Sequence, residues 1–253
     1  MTNDQVKTSV MGDPETIALA GDWHGNLMYA LYAIDHAKEK GADVIAHTGD
    51  FGYKFDARYI RGLEDCLSRH DMKLFFIDGN HDDQRILMNR YERLGGVARL
   101  TDHLFWLTRG TRWSWHGERW LALGGAFSVD RHWRQPFTQW WEEETITPEQ
   151  ARQVMDAGPT DIMITHDCPD GVPIPGLEAS SGFFPSDLIE RAKEHRRLLG
   201  TVVRAVKPHF LVHGHYHRHY QAHVNLGYGG VHVLGLDCDG SQVVDNMKIL
   251  TAP

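Results

Sequence analysis

The first ninety residues alternate short, apolar, strand-like runs with amphipathic helical patterns, and this alternation constrains the fold more than any other feature of the chain. Thr16–Ala20 is continuously apolar apart from its first residue, and Asn26 then caps a segment whose apolar side chains recur at a helical period. Val44–His47 and residues 74–77 repeat the strand pattern, each followed by another helical segment. Strands and helices in this order predict an α/β layer architecture.

From about residue 97 the pattern changes to one typical of hairpins, which suggests that a second sheet begins there. Residues 112–115 and 120–123 flank the turn His116-Gly117, and Thr147 to Gln150 form a capping box that predicts a new helix. Further elements are expected as strands at 161–165, 210–212 and 231–236 and as a long helix at 188–206. The predicted fold is therefore a two-sheet β-sandwich flanked by helices, of α/β or α+β class.

The length of 253 residues and the hydrophobic content of 42% suit one continuous core, so we expect a single domain over 1–253 with a flexible segment at 1–14. No apolar run approaches the roughly 20 residues that cross a bilayer, and the polar N-terminus does not resemble a signal peptide. We therefore expect a soluble, cytoplasmic protein without a membrane partner. Three widely spaced cysteines predict reduced thiols, and a net charge of −8 disfavours nucleic acid as a partner.

Histidine is abundant, at 17 of 253 residues, and several histidines stand beside carboxylates directly after predicted strands. The metal-capable side chains at these strand ends are Asp22, His24, Asp50, Asn80, His81, His166, His215 and His217. Because the carboxyl ends of neighbouring strands meet at one edge of a layered α/β fold, we expect these residues to converge there. The sharp turns that this requires are attributed to glycines, namely Gly21, Gly49, Gly79 and Gly214.

The combination of carboxylate, amide oxygen and imidazole nitrogen favours one class of cation. Mn, Fe, Zn, Co and Ni bind both oxygen and imidazole nitrogen, whereas Mg and Ca prefer oxygen ligands. The residues therefore predict two divalent transition-metal ions that share one carboxylate, and they disfavour a purely magnesium site. Each block is weak by itself, because Gly-Asp turns and Asp-x-His triplets are common structural features.

Together, the blocks strongly resemble the calcineurin-like metallophosphoesterase superfamily, whose ordered pattern is Asp-x-His, Gly-Asp, Gly-Asn-His, a lone His and Gly-His-x-His. The resemblance extends from Asp22 to His217, most of the chain. It implies a first ion held by Asp22, His24, Asp50 and His217, and a second held by Asp50, Asn80, His166 and His215. Asp50 is the implied shared ligand. Two Mn²⁺ ions are expected, with Fe, Zn, Ni and Co as alternatives.

The same resemblance implies the chemistry, which is hydrolysis of a phosphate ester by a hydroxide that bridges the two ions. His81 occupies the position of the residue that protonates the leaving oxygen or stabilises the transition state. The chain departs from the pattern at Tyr53 and Lys54, where protein phosphatases and dinucleoside tetraphosphatases carry the last Asp and Arg of Gly-Asp-x-x-Asp-Arg-Gly. That branch is therefore disfavoured, and Asp82 becomes the nearest candidate to orient His81.

A phosphodiesterase for small or nucleotide-type phosphate esters is the favoured interpretation. A phosphomonoesterase or protein phosphatase with the same site is the alternative, and a nuclease or a non-catalytic metal-binding scaffold is less favoured. Arg131 and Arg134, in the tryptophan-rich segment 124–144, are expected to contact substrate, against the alternative of a packed hairpin. Segment 167–185 is either a lid or a connector. The sequence indicates neither the natural substrate nor the oligomeric state.

Overall fold

Two β-sheets pack face to face, and helices cover the outer surface of each sheet. The computed structural model describes residues 10–91, 93–177 and 181–251. Within these residues the sheets have seven and six strands. The predicted two-sheet sandwich with flanking helices is confirmed.

The strands run in the two sheets as follows. In chain order they are β1 (Thr16–Ala20), β2 (Val44–His47), β3 (Lys73–Phe76), β4 (Arg93–Leu94), β5 (Val97–Arg99), β6 (Leu104–Leu107), β7 (Arg112–Trp115), β8 (Glu118–Leu123), β9 (Ile162–Thr165), β10 (Phe210–His213), β11 (Tyr220–Asn225), β12 (Gly230–Gly235) and β13 (Met247–Thr251). The first sheet has the order β13-β1-β2-β3-β6-β5-β4 and the second β11-β12-β10-β9-β8-β7. β1, β2 and β3 are parallel, as are β8, β9, β10 and β12, so the loops that follow them leave from one edge of each sheet.

The α-helices are α1 (Leu27–Glu39), α2 (Ala57–His70), α3 (Gln84–Arg90), α4 (Pro148–Asp156), α5 (Ser186–Val206) and α6 (Val243–Asn246). The first four of them begin where a capping side chain accepts hydrogen bonds from the first N–H groups. Asn26, Asp56 and Asp83 cap α1, α2 and α3, and the predicted capping box of Thr147 and Gln150 is present at α4. The first three caps end the loops after β1, β2 and β3, so they fix the length of the loops that carry the candidate ligands.

The core consists of three apolar layers. The central layer lies between the sheets, where side chains such as Phe75 from the first sheet meet Trp115 and Ile164 from the second. An outer layer packs α1 and α2 against the first sheet, and another packs α4 and α5 against the second. The central strands of both sheets are buried on both faces, so a ligand site is expected where these strands end.

One expectation about the second sheet was wrong. The change of pattern near residue 97 suggested that the second sheet begins there, but β4, β5 and β6 belong to the first sheet, and β6 lies parallel to β3. The second sheet begins at β7. Alternation of apolar and polar residues identifies a strand but not its neighbour, which long-range hydrogen bonds decide. For the same reason the pairing of β13 with β1 was not predicted.

The N-terminal segment is described only in part. Residues 1–9 of the segment expected to be flexible lie outside the described residues. Met11 is buried in the central layer, and its carbonyl oxygen accepts a hydrogen bond from Trp115 Nε1 at 3.4 Å. Among the described helices, none is both long and apolar enough to cross a membrane.

Candidate metal centre

Five strands from both sheets end at one place and carry the candidate ligands there. Asp22, Asp50 and Asn80 follow β1, β2 and β3 of the first sheet. His166 follows β9, and the His215–His217 segment follows β10, both in the second sheet. Residues up to 195 positions apart in sequence therefore meet where the two parallel sets of strands end.

The carboxylate of Asp50 lies at the centre of this group. Its Oδ1 is 3.3 Å from His166 Nε2, and its Oδ2 is 3.6 Å from His24 Nε2. The backbone N–H of His81 also donates to Oδ1, at 2.8 Å. Asp50 is almost fully buried, so the nitrogen atoms around it are its main electrostatic partners. It contacts His24 and His166, which the family resemblance assigns to different ions.

The Asp22 carboxylate is a second buried group with which candidate ligands make contact. Its Oδ2 is 3.3 Å from His217 Nε2 and accepts a hydrogen bond from the backbone N–H of His215 at 3.0 Å. In this region, two sets of potential ligand atoms each lie within 4.8 Å of one another. These sets are Asp22, His24 and His217, and Asp22, Asp50 and His166.

Asn80 and His215 lie beside the second set. Asn80 Oδ1 is 3.0 Å from His166 Nε2, while its Nδ2 donates to Ser128 Oγ at 3.0 Å, which fixes the amide with its oxygen toward the site. The rings of His166 and His215 have centroids 5.1 Å apart. All seven predicted ligands are thus brought to one region.

The electrostatics of the region suit cations. Burial by itself would lower the histidine pKa values, but hydrogen bonds and charge from Asp22 and Asp50 raise the pKa of His24 to about 9 and that of His166 to about 10. The pKa of His217 likewise rises to about 11, chiefly through its contact with Asp22. Without metal, protons therefore balance the two buried carboxylates. Burial lowers the pKa of His215 to about 3, which leaves a neutral imidazole suited to ligation.

Glycines make room for the two carboxylates. A Cβ at Gly79 would lie 2.1 Å from Asp50 Oδ1, and a Cβ at Gly214 would lie 2.1 Å from Asp22 Oδ1. Gly49 has a φ of 103°, whereas Gly79 and Gly214 do not lie in the left-handed region. The sequence interpretation of these glycines as sharp turns holds for Gly49, but Gly79 and Gly214 are needed for close approach instead.

Several candidate ligands adopt left-handed backbone conformations that are uncommon for residues with a Cβ. The φ angles are 48° at His24, 52° at Asp50, 68° at His215 and 50° at His217. Such conformations cost about 1–3 kcal/mol each and persist where surrounding structure imposes them. Their concentration at one place is typical of a functional site.

Asp82 does not orient the ring of His81, contrary to the sequence expectation. Its two oxygens accept four backbone hydrogen bonds, from Phe51, Gly52, Tyr53 and Gly79, at 2.8–3.1 Å. Three of these N–H groups belong to the turn after Asp50 and one to the turn before Asn80, and all four face the interior, where they require an acceptor. Burial and the charge of Asp50 raise the pKa of Asp82 to about 7 despite these bonds. Asp82 thus supports the loop that carries Asp50.

The Arg134 guanidinium, and not Asp82, is the hydrogen-bond partner of the His81 ring. The Arg134 guanidinium lies against the ring, with NH1 bonded to Nδ1 and NH2 3.1 Å from Nε2, and Asp130 holds the same guanidinium. Burial, with a contribution from Arg134, lowers the pKa of His81 to about 4, although Asp50 opposes the shift. His81 is therefore neutral at neutral pH in this arrangement.

An open cleft of about 850 Å³ adjoins the metal-ligand group on the side of His24 and His81. Arg134 forms part of its wall, and Tyr53 and Lys54, the residues at which the sequence departs from the phosphatase pattern, line it as well. The ring of Tyr53 contacts both His24 and His81, with centroids 5.9 and 5.4 Å away. The cleft therefore provides space beside the candidate ligands.

Arg131, unlike Arg134, is not among the residues that line the cleft. Its side chain is only 9% exposed, its guanidinium binds the Glu144 carboxylate, and it lies over the rings of Phe127 and Trp140. Glu144 in turn accepts hydrogen bonds from the N–H and Oγ of Ser128, the partner of Asn80. The expectation that Arg131 contacts substrate is therefore corrected. Its guanidinium is paired with the buried Glu144 carboxylate, and the residue supports the site instead.

Sequence reasoning missed the residues that hold the ligands in place. Ser128 and Glu144 fix Asn80, and Asp239 accepts a hydrogen bond from His24 Nδ1 at 2.8 Å. Asp239 belongs to an Asp-Gly pair after β12, a common turn pattern that carries no metal-ligand spacing. Only its position in space connects it with the site.

Comparison with known proteins identifies a family whose model covers all seven candidate ligands. The family model for calcineurin-like phosphoesterase matches residues 15–219. A dimetal phosphatase from Danio rerio superposes with a TM-score of 0.58 at 11% identity, covering 94% of this chain and 93% of that chain. The protein TT1561 of Thermus thermophilus gives 0.53 at 13% identity, covering 95% and 100%. These two structures share the fold. Comparison with curated proteins gives no match.

Proposed function

The chain belongs to the calcineurin-like phosphoesterase family and is a hydrolase of phosphoric ester bonds, and from this we propose that it is a phosphodiesterase for small, nucleotide-sized esters. Its centre is that of a binuclear divalent-metal enzyme. The single observation that carries the proposal is the cleft of about 850 Å³ beside the ligand group. A diester has two organic arms, and a cleft of this size accommodates the second arm while the phosphate lies at the ligand group.

The donor set fits two divalent ions. We assign Asp22, His24, Asp50 and His217 to one ion and Asp50, Asn80, His166 and His215 to the other, with Asp50 shared. The support is the raised pKa of three histidines around two buried carboxylates, which marks a place that attracts positive charge. Imidazole and carboxylate together favour Mn²⁺ or another transition ion over Mg²⁺.

Different residues of this chain then have different roles in hydrolysis. Two divalent ions, when bound, supply charge neutralisation at the phosphoryl group and a lowered pKa for water. His81 is placed to donate a hydrogen bond toward the leaving oxygen, because its backbone N–H is fixed to Asp50 and its ring faces the cleft. Arg134 is placed to attract the anionic phosphate, since its guanidinium lies beside His81.

Hydrolysis by metal-stripped protein resupplied with one ion at a time tests the proposal. Bis(p-nitrophenyl) phosphate reports diester hydrolysis, and p-nitrophenyl phosphate reports monoester hydrolysis. We expect the larger kcat/KM for the diester, with Mn²⁺ the most effective ion. A preference for the monoester would replace the proposal with a phosphatase, and no turnover with any of Mn, Zn, Ni, Fe or Co would favour a non-catalytic scaffold.

Asp50→Ala tests the ion assignment. Because Asp50 is the shared ligand, we expect loss of both ions at metal concentrations that saturate the wild type, and loss of turnover. Metal content measured on the folded variant, with circular dichroism to establish folding, gives the answer. A fully active Asp50→Ala protein that retains two ions would refute the assignment.

A further inference from the structure

The strongest unassigned feature is a carboxylate bonded to a candidate ligand from a part of the chain that the family match does not reach. Asp239 Oδ1 accepts a hydrogen bond from His24 Nδ1 at 2.8 Å. The family match ends at residue 219, and Asp239 follows β12 in the C-terminal segment. The side chains of both residues are largely buried, with exposures of 14% for His24 and 20% for Asp239.

This bond determines which nitrogen of His24 is available. A proton on Nδ1 is shared with the Asp239 carboxylate, so Nε2 carries the lone pair when the imidazole is neutral. Nε2 is the atom that faces Asp50, 3.6 Å from its Oδ2. A histidine whose second nitrogen donates to a carboxylate is held in one tautomer and one orientation and becomes a better metal ligand.

Asp239 is itself fixed by a second bond. Its Oδ2 accepts from Asn26 Nδ2 at 2.8 Å, while Asn26 Oδ1 accepts from the backbone N–H of Tyr29 as the cap of α1. The carboxylate therefore bridges the ligand His24 and the start of the helix that follows it. Rotation of the Asp239 side chain would break both bonds.

The loop that carries Asp239 is also anchored. Asn246 is fully buried, and its Nδ2 donates to the carbonyl oxygens of Asp237 at 2.7 Å and Asp22 at 3.3 Å. Its Oδ1 accepts from Trp23 Nε1 at 3.1 Å, and its own carbonyl oxygen accepts from Gly21 at 2.8 Å. The C-terminal loop and the Asp22–His24 segment are thereby held at a fixed distance.

We propose that Asp239 is a positioning residue that fixes His24 as a ligand of the first ion, so that the C-terminal segment completes the centre. The inference rests on the two-ion assignment made under the proposed function. Asp239 does not touch substrate in this role. It acts by setting the tautomer and orientation of His24, and its effect is therefore on the affinity for one ion.

Calorimetric titration of the metal-free full-length protein with Mn²⁺ tests the proposal. We expect Asp239→Ala to weaken binding of one ion about 10- to 100-fold and to leave the other ion unchanged. Asp239→Asn keeps an acceptor oxygen, so a smaller loss is expected. Excess Mn²⁺ should restore kcat in both variants, which a loss of folded structure would not allow.

Asp245→Asn is the matched control. Asp245 lies in the same C-terminal segment, and its carboxylate bonds to the histidine nitrogen His219 Nδ1 at 3.1 Å, but His219 is not a candidate ligand. We expect wild-type Mn²⁺ affinities for this variant. A His24→Ala background adds a second check, because Asp239→Ala should have no further effect on Mn²⁺ affinity there.

The outcomes separate this inference from the proposed function. Wild-type affinities for both ions in Asp239→Ala would overturn the positioning role, whatever the wild type hydrolyses. Equal weakening of both ions with a lowered melting temperature of the metal-free variant would also overturn it, because that result indicates a general structural role. Wild-type protein that binds two ions but hydrolyses no ester would overturn the proposed function alone.

Discussion

The two central carboxylates can lie where they do only because glycines face them. At Gly79 an added Cβ would meet both Oδ1 and the backbone nitrogen of Asp50, at 2.1 and 2.3 Å. Backbone atoms cannot yield as a flexible side chain can, so the contact would have to be relieved by moving Asp50. At the scale of single residues, the site therefore depends on the absence of a Cβ at these glycines as well as on its functional groups.

Gly79→Ala is expected to damage the centre without removing any ligand. Displacement of Asp50 by a fraction of an ångström or more should lower kcat about 100-fold and cost about 1–3 kcal/mol in the free energy of unfolding. Steady-state kinetics and urea denaturation measure the two effects. Gly230→Ala is the control, because a Cβ at Gly230 meets no atom within 4 Å and its φ is not left-handed. Equal effects of both substitutions would contradict this explanation.

At the scale of elements, the turn between β2 and α2 depends on Asp82. Four backbone N–H groups of the segments around Asp50 and Gly79 converge on one buried carboxylate. The next residue, Asp83, has a different structural role, because its Oδ1 caps α3 by accepting from Arg85 and Ile86. Adjacent aspartates therefore support two different elements.

Replacement of Asp82 and of Asp83 should lower the free energy of unfolding by different amounts. Asp82→Ala leaves four buried donors without an acceptor, so we expect a loss of about 3 kcal/mol or more in the free energy of unfolding, together with weaker metal binding. Asp83→Ala removes a helix cap and should cost about 1 kcal/mol with metal affinity unchanged. Chemical denaturation of the metal-free proteins compares them directly. If Asp83→Ala proved the more damaging of the two, the assigned role of Asp82 would be wrong.

At the scale of the whole molecule, the centre joins the two sheets. Asp22, Asp50 and Asn80 follow strands of the first sheet, and His166, His215 and His217 follow strands of the second. The buried carboxylates of one sheet thus face imidazoles of the other, with His166 Nε2 3.3 Å from Asp50 Oδ1. Ions bound there would hold both sheets at their shared edge.

Metal removal should therefore destabilise the entire fold. An ion at about 1,000 times its dissociation constant stabilises the native state by about 4 kcal/mol, which for a chain of this size corresponds to roughly 10 °C in melting temperature. Calorimetric melting with and without a chelator measures the shift. Asp50→Ala serves as the control, because its melting temperature should not respond to added Mn²⁺. An unchanged melting temperature of the chelated wild type would contradict a structural role for the ions.

The sequence by itself determined the elements and the set of chemical groups. Periodicity and caps gave the strands and helices of the first ninety residues, because these signals depend on neighbours a few positions apart. The ordered blocks from Asp22 to His217 identified the candidate ligands, because ligation requires particular side-chain chemistry. The cytoplasmic location, the choice of Mn²⁺ and the exclusion of nucleic acid stay predictions.

Only the tertiary structure decided which residues hold each candidate site residue in place. Asp82 was expected at His81 but bonds to the backbone around Asp50, and Arg131 was expected at the substrate but binds Glu144. Asp239 lies 215 positions from His24 in the chain, yet the two share a hydrogen bond of 2.8 Å. The physical reason is that such contacts depend on where a buried donor meets an acceptor after folding, and sequence spacing contains no record of that distance.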